Sequence, residues 1–141
     1  MDVRRVDSDA EWEAALRVRR EVFIKEQGVP EHREIDGQDD VAIHFLATDE
    51  ESPVGTARLR EYDDRVAKAE RVAVIEEHRG SGLGRALMDT VESEASDRGY
   101  EEIILHAQVP VVGFYERLGY EVTSETFEDA GIPHREMRKS L

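Results

Sequence analysis

The sequence contains no cysteine, which excludes disulfide bonds, thiolate metal sites and a cysteine nucleophile. It also lacks any apolar run approaching the ~20 residues that a transmembrane helix needs. The first residues, Met1–Arg5, lack the apolar segment of a signal peptide. We therefore expect a protein of the cytoplasm that does not bind a membrane.

Basic residues are few relative to acidic ones. The sequence has 19 lysines and arginines and 33 aspartates and glutamates, which gives a net charge of −14. Lysine is especially scarce, since only three of the basic residues are lysines (Lys25, Lys68 and Lys139). This balance argues against a nucleic acid or an anionic membrane as partner. The acidic surface could attract cationic amines, or it could keep the protein soluble in a salt-rich cytosol. The acids run from Asp2 to Glu136 without clustering, which favours salt adaptation.

The length of 141 residues predicts a single domain, 1–141, with one core. Hydrophobic periodicity and turn residues predict a strand, a helix that begins at Ser8, and three antiparallel strands. A helix after position 82 and a buried strand at 103–105 then form a crossover between parallel strands. A short helix and two closing strands, 120–127 and 134–138, complete a mixed α/β (α+β) fold of six to seven strands. Residues 28–40 are predicted to form a polar loop.

Three glycines stand between the third of these strands and the long helix, in Arg79-Gly80-Ser81-Gly82-Leu83-Gly84. A turn that opens a helix presents free backbone N–H groups and the positive end of the helix dipole, which together bind phosphate. The P-loop pattern fails because Arg85-Ala86 follows Gly84, and the dinucleotide fingerprint would need glycine at position 85. A turn that only joins strand to helix is the alternative.

The pattern Arg79-x-x-Gly82-x-Gly84 resembles the pyrophosphate loop of the GNAT N-acetyltransferases. A second segment, Gly113-Phe114-Tyr115-Glu116-Arg117-Leu118-Gly119-Tyr120, is similar to the one that follows the fifth strand in that family. Further segments, such as Leu105-His106-Ala107-Gln108 and Gly131-Ile132-Pro133-His134, resemble the ElaA-like branch. The resemblance covers the whole chain and implies a central strand pair that splays apart.

The resemblance also implies which residues bind acetyl-CoA. The strand Val72-Ala73-Val74 would pair with the pantetheine arm, although these residue types suit a core strand equally well. The loop Arg79-Gly80-Ser81-Gly82-Leu83-Gly84-Arg85 would hold the diphosphate. Gln108 stands where many relatives have asparagine, and it could still hydrogen-bond the cofactor.

Catalytic roles follow from the same resemblance. Acetyl transfer to an amine needs a neutral amine, and Glu70 aligns with the general base of some members. The leaving thiolate needs a proton, and Tyr115 matches the family's tyrosine acid. An exposed strand carboxylate and a half-buried helix aromatic are the alternative interpretations of these two residues.

Candidate contacts to the acceptor are weaker, namely Glu26, His44, His106 and His134. No two histidines have the spacing of a metal pair on one helix, so we expect no metal. The expected function is that of an acetyl-CoA-dependent N-acetyltransferase acting on an amine. A homodimer would be common for this fold. The alternative is a GNAT-fold module that senses acyl-CoA without turnover.

Overall fold

A computed structural model describes all residues, 1–141. Eight strands are present: β1 Asp2–Arg5, β2 Ile43–Asp49, β3 Ser52–Glu61, β4 Val66–Val74, β5 Glu102–Gln108, β6 Glu121–Val122, β7 Phe127–Asp129 and β8 Ile132–Ser140. The α-helices are α1 Asp9–Arg19, α2 Glu31–Glu34, α3 Leu83–Asp97 and α4 Val112–Arg117. A π-helix, Arg20–Glu26, continues α1, and short 3-10 turns cover Asp39–Val41, Glu76–His78 and Val109–Val111. No helix has both the length and the apolar character that crossing a membrane requires.

The strands form one sheet in the order β1-β2-β3-β4-β5-β8-β6, with β7 paired to β8. Neighbours are antiparallel except β4 and β5, which are parallel as the crossover predicts. The predicted mixed α/β sheet is confirmed, and it has eight strands because the first closing strand is split into β6 and β7. Ser124 interrupts it, since its hydroxyl accepts the Glu136 N–H at 2.8 Å in place of a ladder bond.

The parallel pair β4 and β5 separates after four residue pairs, the last being Ala69 opposite Leu105. The register of β4 against β3 shifts just beyond this point, and Arg71 adopts a left-handed φ of 54°. An extra residue bends a strand and increases its twist. The bulge at Arg71 therefore turns the end of β4 away from β5, which confirms the splayed pair.

The two faces of the sheet carry different partners. The main core lies against α3, whose buried residues Leu83, Leu87, Val91 and Ala95 recur at helical spacing. Helix α1 covers the other face and begins as predicted at Ser8, whose hydroxyl accepts the Glu11 N–H at 3.2 Å. On this second face α1 packs against β2, β3 and β4.

Residues 28–40 are not simply a polar loop. They contain α2, and Glu34 on it is 2% exposed. Its carboxylate accepts hydrogen bonds from Arg19 at 2.6 and 2.9 Å and from Arg71 at 3.1 Å. The sequence prediction failed here because the arginines that neutralise this acid are 15 and 37 positions away. The loop is thereby tied to the bulge that opens the cleft.

Candidate functional site

A cleft of about 760 Å³ occupies the gap between the separating ends of β4 and β5. The glycine loop, the start of α3 and Tyr115 of α4 line it. Residues of β4, β5, β8 and the π-helix complete the lining. Of the predicted site residues, those lining the cleft are Glu26, Glu70, Val72, Ala73, Val74, Arg79, Gly80, Gly82, Gly84, Arg85, His106, Gln108, Tyr115 and His134.

The glycine loop presents a row of unused donors. None of the six consecutive backbone N–H groups from Gly80 to Arg85 donates to another backbone or side-chain group, and only Ala86 N begins the helical ladder, to Gly82 O at 3.1 Å. Such groups need an outside acceptor, either water or an anion. Together with the dipole of the 15-residue α3, they have the arrangement that binds anions at the N-termini of helices.

Two glycines leave this site open. Gly80 and Gly82 have left-handed φ values of 80° and 86°, and no atom lies within 4 Å of where their Cβ atoms would stand. A ligand can therefore approach the backbone directly. Gly84 serves another purpose, because a Cβ there would lie 3.0 Å from Phe114 Cζ. It allows α3 and the aromatic residues of α4 to pack closely.

Other side chains of the loop have partners within the protein. The Ser81 hydroxyl donates to His78 O at 2.6 Å, and the Leu83 side chain is buried in the core. Both residues therefore contribute only their amides. The guanidinium of Arg79 donates twice to Glu26 at 2.7 Å and once to Val74 O at 2.9 Å. Arg85 is exposed at the rim.

The end of β4 has a free edge toward β5. Ile75 N donates to Val54 O of β3 at 3.0 Å. Backbone donors of a strand alternate between its two edges, so the N–H of Val74 points into the gap. Ala73 instead buries its methyl group against Val18 and Val22 below α1.

Tyr115 reaches the cleft from α4. Its ring is buried edge-on against Phe114 and Tyr120, with centroids 5.0 and 5.7 Å away. Its hydroxyl has no hydrogen-bond partner in the protein, and burial alone raises its pKa. Tyr115 is thus a protonated donor that lacks an acceptor.

Glu70 lines the cleft, but cations surround it. Arg58 Nη2 lies 3.2 Å and Lys68 Nζ 3.7 Å from its carboxylate, and Arg60 donates a short hydrogen bond to it. Burial opposes ionisation of Glu70, yet these three cations prevail and lower its pKa. A carboxylate held in this way is a weaker base than an unpaired one, and its predicted role as general base stays a prediction.

The predicted histidines separate into two groups. His106 on β5 and His134 on β8 line the cleft on the same sheet face. Their rings flank that of Phe127, with centroid distances of 5.0 and 6.1 Å. His134 Nδ1 donates to Ile132 O at 2.7 Å, which leaves Nε2 as an acceptor. His44 does not line the cleft. Its ring packs on Trp12, with centroids 4.4 Å apart, and its Nε2 is hydrogen-bonded to Asp39 O at 3.0 Å. Its predicted contact to substrate is therefore corrected.

Gln108 bridges the cleft instead of ending free. Its Nε2 donates to Gln27 Oε1 at 2.8 Å, joining β5 to the residue that follows the π-helix. The Gln27–Gln108 hydrogen bond therefore links the end of the π-helix to the end of β5. Gln27, like Lys68 and Arg71, was not predicted from the sequence, because nothing local distinguishes it.

Comparison with known proteins places this geometry in a family. The model of the acetyltransferase (GNAT) domain matches residues 7–141. The chain is 45% identical over 126 residues to the uncharacterized N-acetyltransferase YjcF of Bacillus subtilis, covering 89% of each protein. A putative N-acetyltransferase from Lactobacillus plantarum shares its structure with a TM-score of 0.92 at 31% identity, over 99% of this chain and 97% of the other.

Two further solved structures bear on the branch and on the fold. Escherichia coli ElaA superposes with a TM-score of 0.85 at 30% identity, over 98% of both chains. An aminoglycoside 6′-N-acetyltransferase complexed with coenzyme A shares the fold alone, with a TM-score of 0.79 at 16% identity over 99% of this chain and 97% of the other. The chain belongs to the GNAT acetyltransferase family, in its ElaA-like branch.

Proposed function

We propose that this protein transfers an acetyl group from acetyl-CoA to an amine by direct attack of the amine on the thioester. The observation that carries the proposal is the row of six unused N–H groups from Gly80 to Arg85, which opens onto the same cleft as Tyr115 and the free edge of β4. A diphosphate is the anion that such a row of amides suits. The family and the coenzyme A complex of a protein with the same fold support this choice.

Three features of the cleft support its use as the coenzyme site. The open backbone at Gly80 and Gly82 leaves room for the diphosphate, with Arg85 beside it. The free edge of β4 at Val72–Val74 can pair with the two amide groups of a pantetheine arm, as in strand addition. Acetyl-CoA supplies the thioester when bound. The Val74 N–H would donate a hydrogen bond to the thioester carbonyl oxygen as negative charge develops on that oxygen.

Proton transfers fall to side chains at the middle of the cleft. Tyr115 is protonated and lacks an acceptor, so it can donate a hydrogen bond to the departing sulfur. An amine with a pKa near ~10.4 must lose a proton before it attacks. We assign this step to Glu70 through water, because Glu70 is ionised and faces the cleft.

Release of free thiol from acetyl-CoA, measured with a broad panel of amines, tests the proposal. We expect acceptor-dependent release together with coenzyme A binding in calorimetry. Binding of coenzyme A without turnover of any amine would favour the alternative, an acyl-CoA sensor. Absence of coenzyme A binding would refute both functions.

A further inference from the structure

Lys68 is a partly buried cation that lines the cleft and has no hydrogen-bond partner. The cluster around the β4 bulge contains five cations and four carboxylates: Arg19, Arg58, Arg60, Lys68 and Arg71 with Glu34, Asp36, Asp39 and Glu70. Each of the four arginines donates a hydrogen bond to a carboxylate of the set. Lys68 Nζ lies 3.7 Å from Glu70, beyond hydrogen-bond distance. The cluster thus carries one more positive than negative charge, and Lys68 is its cation without a hydrogen bond.

The setting of Lys68 is unlike that of the other two lysines. Its side chain is only 15% exposed and lines the cleft. Lys25 is 74% exposed on the π-helix, and Lys139 donates to Glu92 at 2.8 Å. Burial of an ammonium without hydrogen bonds is costly. A half-buried lysine without a hydrogen bond does not serve solubility in a chain whose net charge is −14.

The acids in the cleft compensate this charge only in part, because Lys68 shares Glu70 with two arginines. Glu70 is already held by Arg58 and Arg60, and Glu26 is paired twice with Arg79. Asp129 is exposed at the rim. Lys68 also acts on His106 of the neighbouring strand β5, whose pKa is lowered by burial and by the charge of Lys68. His106 therefore does not neutralise the lysine, and an anion from outside can.

We propose that the acceptor carries an anionic oxygen group, a carboxylate or a phosphate, and that Lys68 binds this group. The inference rests on the proposed acetyl transfer and names the substrate class for it. The anion would lie over β4 and β5, with His106 and His134 beside it and the amine directed toward Val74 and Tyr115. Lys68 would thus be a specificity-determining residue, selecting acidic amines over neutral ones.

Matched pairs of acceptors test the proposal. We would compare α-amino acids with their amides, and amino-sugar phosphates with the free amino sugars, as kcat/KM for thiol release. We expect the anionic member of at least one pair to be preferred about tenfold or more, the effect of one charge-assisted hydrogen bond. The pair that shows the preference separates carboxylate from phosphate. Lys68→Met should abolish the preference without changing the Kd for coenzyme A, whereas the exposed control Lys25→Met should keep it.

Equal or faster turnover of the neutral partners by the wild type would overturn the proposal, and so would a preference that survives in Lys68→Met. A second measurement does not need turnover. Inorganic phosphate would be titrated into the coenzyme A-saturated protein while NMR follows the titration of His106. Phosphate on Lys68 should raise the pKa of His106 in the wild type but not in Lys68→Met, while Glu136, Asp129 and His134 nearby are common to both proteins. No change in the wild type would refute the anion site even if the protein proves to be a sensor.

Discussion

Replacement of the buried Glu34 by glutamine is expected to destabilise the protein severely. The Glu34 and Arg19 side chains are each 1% exposed and are joined by hydrogen bonds of 2.6 and 2.9 Å. Removing one charge of a buried ion pair costs about 3–5 kcal/mol, and Arg19 would keep only Asp39, at 2.7 Å, as an ionic partner. The total free energy of unfolding for a domain of this size is about 5–15 kcal/mol. Glu34→Gln should therefore lose a large part of it.

Urea denaturation measures this loss, with Trp12 as reporter. Trp12 is the only tryptophan, and its ring lies 5.9 Å from the Arg19 guanidinium carbon. With an m-value of about 2 kcal/mol/M, a loss of about 3 kcal/mol lowers the midpoint by about 1.5 M. The control is Glu31→Gln, an exposed position on the same helix, for which we expect a change within about 0.5 kcal/mol.

Salt sharpens the same experiment. At about 1 M KCl the Debye length is about 3 Å, and screening acts mainly on exposed charges. The difference between Glu34→Gln and the control should therefore persist in salt, because the pair is buried. A difference below about 1 kcal/mol, or one that salt abolishes, would refute the view that this network supports the fold.

Three further predictions concern the cleft and its surroundings. Tyr115→Phe should lower kcat about 10²-fold with an unchanged Kd for coenzyme A, because only a proton donor is lost; wild-type turnover would remove Tyr115 from the mechanism. Gly82→Trp should abolish coenzyme A binding in calorimetry, since the new side chain fills the open space before the amides, and unchanged affinity would contradict that site. Burial lowers the pKa of His44, so the unfolded state takes up the proton first as pH falls below about 6.5 and stability should decrease from pH 7 to pH 5. His44→Gln should flatten that decrease in urea melts, and an equally steep profile would show that another group is responsible.

The glycine loop and its neighbours could be predicted from the sequence because their signals are local. A turn rich in glycine between an apolar strand and an amphipathic helix presents amides wherever it occurs, and Gly80, Gly82 and the α3 stripe appear in the structure as expected. The strand order around the crossover followed for the same reason. The split of the closing strands was missed, because it depends on the hydroxyl of Ser124 meeting the Glu136 N–H across the sheet.

Roles that depend on charge needed the tertiary structure. An acid in the segment 28–40 looks solvated in the sequence, and only folding brings Arg19 and Arg71 onto Glu34. Likewise, folding packs His44 against Trp12 of α1 and places Lys68 in the cleft without a hydrogen bond. The backbone conformation of a turn or helix is set by residues a few positions apart, so the glycine loop and the fold around it could be predicted from the sequence alone. The state of a charge is set by burial and by partners tens of residues away, so the paired charges and the lysine without a hydrogen bond could be identified only in the folded chain.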